Sequence, residues 1–76
     1  MNFPDFIEKF AEAIEVEDAK TLSGSTEFRG VDEWSSLATL SVIAMLDEEY
    51  DVQIENAEFR ELKTIEDIFN CVKSKQ

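Results

Sequence analysis

The run Trp34-Ser35-Ser36-Leu37 places two hydroxyls where a loop gives way to a long apolar-patterned stretch, Ala38 to Tyr50. A serine at the mouth of a helix has two uses. Its oxygen can accept a hydrogen bond from the free N–H groups of the first turn, which makes it a cap. Alternatively it presents its hydroxyl to solvent as a point of covalent attachment, and Ser36, followed directly by Leu37, is the candidate. Catalysis there would need a neighbouring base. The chain has no histidine, and no other base is spaced to activate a nucleophile. No catalytic residue is assigned, and the chain is not expected to be an enzyme.

Other reactive groupings are sparse. One cysteine, Cys71, and no histidine cannot build a zinc site. Cys71 reads as a packing residue beside the apolar stripe of the last helix. The acids Asp47, Glu49, Asp51, Glu55 and Glu58, with Gln53, alternate as calcium ligands do. An EF-hand loop requires glycine at its sixth position, where this chain has Val52, and Leu46 and Tyr50 carry a helical pattern through the supposed loop. No metal site is expected, nor is there a glycine-rich phosphate loop.

Composition narrows the class of partner. Eighteen acids against seven Lys and Arg give a formal charge of −11. That field repels phosphate backbones and anionic lipid, so neither nucleic acid nor a membrane surface is expected as partner. Partners with basic docking patches are expected, with binding that weakens as salt rises. The start of the chain lacks the basic, then apolar run of a signal peptide, and no stretch approaches transmembrane length. With a single cysteine, a cytoplasmic setting is expected. Seventy-six residues make one small domain, 1–76, near the lower limit for a fold without staples. It is expected to be monomeric, because its stripes are consumed internally and its charge opposes self-association.

The elements that must position Ser36 follow from periodicity. Phe3, Phe6, Ile7, Phe10 and Ile14 form one wide stripe, predicting a first helix that begins near Phe3 or Pro4. From Val16 to Trp34 the period lapses, and Thr21, Ser23, Gly24, Ser25, Thr26 and Gly30 supply turn chemistry. Leu22, Phe28, Val31 and Trp34 are the residues that would pin this loop into an ordered connection. A second helix, Ser36 to Tyr50, is predicted with Thr39, Val42, Ile43, Leu46 and Tyr50 facing inward. Its opposite face carries Leu37, Ala38, Ser41, Ala44, Met45 and Glu48. Leu37 and Met45 are then either single exposed apolar residues or part of a greasy docking face. A short helix is predicted from Asn56 to Glu61 with Phe59 and Leu62 inward. Thr64 with Asp67 reads as the capped start of a last helix, whose stripe is Ile65, Ile68, Phe69 and Val72. The fold class is all-α: three main helices plus one short helix, with a long ordered loop between the first two.

Trp34-Ser35-Ser36-Leu37, followed by Leu40, Ile43, Leu46-Asp47-Glu48-Glu49-Tyr50 and Ile54, resembles the acyl carrier protein family. The hallmark there is Asp-Ser-Leu opening a helix that ends in an acidic, aromatic and then β-branched run. The likeness extends over essentially the whole chain, in length, acidity and helix order. It implies an acyl-carrier-like right-handed bundle in which Ser36 receives 4′-phosphopantetheine from coenzyme A. A magnesium-dependent phosphopantetheinyl transferase would attach that arm, and its thiol would then carry acyl groups as thioesters between acyl-transferring or synthase enzymes. Leu37, Ala38, Ser41, Met45, Asp47 and Glu48 are the implied docking residues.

Two departures stand out. The family Asp before the serine is Ser35 here, which removes a carboxylate implied to help the transferase orient the site and its metal. Slow priming, a dedicated transferase, or a variant that works unmodified are the consequences to be separated. At Ala38 and Ser41, small uncharged residues stand where fatty-acid-synthesis members often have acids. That points to a specialised fatty acyl, polyketide, peptide or cell-surface pathway. The alternative function is an unmodified acidic helical module that binds basic proteins through the same fold.

Overall fold

The computed structural model describes residues 2–76. Four helices follow in order: α1 (Phe3–Ala13), α2 (Ser36–Tyr50), the short α3 (Asn56–Phe59) and α4 (Ile65–Lys75). Two 3-10 turns, Ala19–Thr21 and Phe28–Gly30, lie in the connection between α1 and α2. Among the described residues there is no strand, only an isolated bridge between Glu27 and Thr64. No described helix is long and apolar enough to cross a membrane.

Each main helix starts on a capping side chain. Asn2 Oδ1 accepts from the Asp5 N–H at 2.9 Å, with Pro4 in the opening turn where a missing donor costs nothing. Ser35 caps α2, and Thr64 caps α4. The first two helices also end alike. Glu15 and Asp51 adopt left-handed backbone (φ 60° and 55°). The next N–H then reaches back, Val16 to the Ala11 carbonyl at 2.8 Å and Val52 to the Leu46 carbonyl at 3.2 Å. The first is a Schellman stop and the second a left-handed stop one residue wider, with Asp51 N–H also bonding the Asp47 carbonyl at 3.0 Å; neither uses glycine.

The core closes around α1. Phe6, Phe10, Phe28, Leu46, Val42, Phe59, Ile65, Ile68 and Val72 are fully buried, each worth about 1.5–3 kcal/mol of burial for the larger side chains. The aromatics form two groups. Phe3, Phe6, Tyr50 and Phe69 meet at one end, with Phe3 and Phe69 centroids 4.9 Å apart. Phe10, Phe28, Trp34 and Phe59 meet at the other, with Phe28 and Trp34 4.8 Å apart.

The long connection is ordered, and the predicted pins hold it: Leu22 and Phe28 are buried, Val31 and Trp34 half-buried. Backbone hydrogen bonds that the sequence did not announce add to them. The Thr26 carbonyl accepts from the Ile65 N–H at 3.1 Å and the Gly24 carbonyl from the Glu66 N–H at 2.9 Å. Gly24 permits that approach, since a Cβ there would lie 3.3 Å from Phe3 Cζ and 3.0 Å from Glu66 Oε2.

Two expectations need correction. The short helix ends at Phe59 and continues to Glu61 only as a turn. More consequentially, Ala38 and Met45 do not point away from the core. Both are buried, at 5% and 9% exposure, and the inward face of α2 is Ala38, Val42, Met45 and Leu46. Apolar residues surround this helix, so periodicity alone gave its stripe the wrong bearing by part of a turn. Ile43 and Tyr50, read as inward, are only half-buried.

Candidate functional site at the entrance of the second helix

Ser36 is the first residue of α2, and Trp34 positions it. The indole lies between Phe10 and Phe59, stacked at 6.2 and 6.3 Å with interplanar angles of 10° and 6°. This wedge fixes the backbone two residues upstream of Ser36. Ser35 then adopts extended backbone and takes the cap, its Oγ accepting from the Ala38 N–H at 3.3 Å. The two serines thus divide the two uses of a hydroxyl. Ser36 is exposed, and among the described residues its hydroxyl makes no hydrogen bond.

The entrance is also unsatisfied. Among the described residues, the N–H groups of Ser36 and Leu37 have no protein acceptor. The first turn of α2 carries no acidic side chain, in a chain with 18 acids. Positive helix-end charge is therefore left for an outside group.

Beside Ser36 an open groove of about 350 Å³ runs between α2 and α3. Ser36, Thr39 and Leu40 line it from α2, Asn56 and Phe59 from α3 with Arg60 just beyond, and Arg29 completes the lining. Arg29 is tied down: its guanidinium donates to the Leu62 carbonyl and, at 3.0 Å, to the Phe59 carbonyl. It also lies 4.7 Å over the Phe28 ring.

Along the outside of α2, Leu37 and Leu40 are exposed at 72% and 60%, followed by exposed Ser41, Ala44, Asp47 and Glu48. The outer stripe is apolar near Ser36 and acidic at its far end. Of the expected docking residues, Leu37, Ser41, Asp47 and Glu48 share this surface, whereas Ala38 and Met45 are buried beneath it. Leu40, Ala44 and the arginines were not assigned to the site. Leu40 carried a signal in its i+3 spacing from Leu37. The arginines carried none, because they lie in separate elements.

Residues 47–50 are helical, and no group of three acids or cysteines among the described residues is arranged to hold a metal ion. Cys71 is half-buried, and its thiol points at Glu58 Oε2, 3.6 Å away. Burial first, then the Glu58 charge, pushes that thiol above its ordinary range. It is a poor nucleophile.

No family model, no curated protein and no solved structure matches this chain.

Proposed function

We propose that this chain is an acyl carrier domain, with 4′-phosphopantetheine esterified to Ser36 and acyl groups carried as thioesters on its thiol. The observation that carries the reading is the division of labour at the α2 entrance. Ser35 caps the helix, which leaves the Ser36 hydroxyl exposed and free of hydrogen bonds. Trp34 and Ser35 hold it at a fixed place on a rigid element. A phosphodiester there meets two unpaired N–H groups and the positive helix end, an interaction worth about 0.3–1 kcal/mol. The four-helix order with a long pinned loop is the architecture that the reading requires.

In the loading step the Ser36 Oγ–P bond forms as a pyrophosphate P–O bond of coenzyme A breaks. The nucleotide bisphosphate leaves, and the serine proton passes to a base on the transferase. This chain supplies the hydroxyl, its position and the docking stripe from Leu37 to Glu48, which complements an enzyme with an apolar notch and a basic rim. The protein is then a substrate of modification and a cytoplasmic shuttle, not an enzyme.

Incubation with coenzyme A, magnesium and a broad-specificity transferase tests this. The mass should rise by one phosphopantetheine, and Ser36→Ala should gain nothing. Ser35→Asp should load at least about tenfold faster, because a carboxylate returns beside the hydroxyl for the metal. Failure of both the parent and Ser35→Asp to load would sink the carrier reading.

One observation favours the second reading, an unmodified module for basic protein partners. Leu37 and Leu40 expose an apolar patch whose use requires no arm. Protein that stays unmodified in its host, with partner binding unaffected by Ser36→Ala, would establish it.

A further inference from the structure

We propose that the groove beside Ser36 is a seat for a phosphate group carried on that serine, with the Arg60 guanidinium as its counter-charge. This rests on the reading of Ser36 as a phosphorylated attachment point, and adds to it a docked position and a residue that holds it.

Charge placement carries the inference. The other main surface grooves are all lined by carboxylates: Glu12, Glu48 and Glu49 in one, Glu15 and Glu33 in another. Glu8, Glu12, Glu17 and Asp18 line a third, and Asp47 and Glu55 a fourth. The groove at Ser36 has no acid in its lining and holds both of the chain's arginines. Lys9 and Lys20 line two of those grooves, but together with carboxylates. Of these grooves among the described residues, the one at Ser36 alone has cations and no acid, in a molecule of charge −11.

The two arginines do different work. Arg29 is committed to the Leu62 and Phe59 carbonyls and to the Phe28 ring, so its charge is fixed in the groove lining. Arg60 is exposed and, among the described residues, forms no ion pair, although 18 acids surround it in the sequence. A guanidinium with its donor fork uncommitted, in the same groove as a free serine hydroxyl, is matched to a phosphate ester on that hydroxyl. Leu40 and Phe59 are the apolar part of the lining, along which a linker from that phosphate would lie.

A seated phosphate can be the monoester of a phosphoserine or the diester of an arm, and the test separates them. Phosphoserine is installed at position 36 by chemical ligation, which needs no transferase, and its second ionisation is followed by phosphorus NMR. The parent should titrate about 0.5 unit below Arg60→Gln, with Arg60→Lys between, because a nearby cation favours the dianion. Equal titration in the parent and Arg60→Gln overturns the seat. In protein loaded enzymatically with phosphopantetheine, the diester signal should also move on Arg60→Gln. A monoester response without a diester response assigns the seat to phosphoserine and removes the arm from it. If loading fails while the monoester responds, the carrier reading falls and the seat remains. Amide spectra of the unphosphorylated variants should overlay, since Arg60 is exposed.

Discussion

The entrances of α4 and α2 show the same local device finished in opposite ways. At α4 the protein satisfies its own helix end. Thr64 Oγ1 accepts from the Asp67 N–H at 3.1 Å, and Asp67 Oδ2 accepts from the Thr64 and Lys63 N–H groups. The Thr26 and Gly24 carbonyls take the Ile65 and Glu66 N–H groups, and Glu66 and Asp67 put two acids in the first turn. At α2 a single serine accepts one N–H, two more stay open, and no acid sits in the turn. A molecule so rich in carboxylates could have sealed both ends. Where it seals one, the gain is stability; where it leaves one open, the vacancy suits an added anion.

Substitutions can break or sharpen this contrast. The largest stability loss is expected from Thr64→Ala, about 1–2 kcal/mol by urea unfolding, because the reciprocal box is lost as a unit. Ser35→Ala should cost less, about 0.5–1 kcal/mol, since its one bond is long. Ser36→Ala should fall within about 0.5 kcal/mol of the parent, the usual range for a surface change. A Ser36 loss as large as that of Thr64 would mean that Ser36 has a structural task and would remove the contrast.

Acid should act on one entrance alone. The Thr64 and then the Lys63 backbone N–H groups hold the Asp67 carboxyl below its usual range. A depressed folded pKa means that the unfolded chain takes up the proton first. This stabilisation is therefore present above the ordinary aspartate range near 3.8 and is lost as pH falls through the lower folded value. Asp67→Asn should flatten that part of the stability–pH curve, while Ser35→Ala should leave its shape unchanged. Because Asp67 is fully exposed, this is the smallest of the expected effects.

The two entrances were not equally legible beforehand. Thr64 and Asp67 lie three residues apart, so the box can be read from spacing alone. The Ser35–Ser36 pair left open which hydroxyl caps, because either side chain is chemically able to do so. The wedge of Trp34 between Phe10 and Phe59 and the extended backbone of Ser35 decide it. Met45 and Ala38 were misplaced because α2 has apolar residues around its whole circumference, so no stripe stands out from the rest.

Local chemistry, then, was sufficient for what depends on near neighbours in the chain. Helix number, the limits of α2 from Ser36 to Tyr50, the capping box and the amphipathic faces of α1 and α4 all rest on contacts within about one turn. Tertiary packing alone decided which side of α2 turns inward. It also decided that Arg29 reaches carbonyls at Phe59 and Leu62, 30 and 33 residues away, and that Arg60 shares a groove with Ser36. Charge at a site is summed over elements that only folding brings together, and no spacing along a strand of letters encodes that sum.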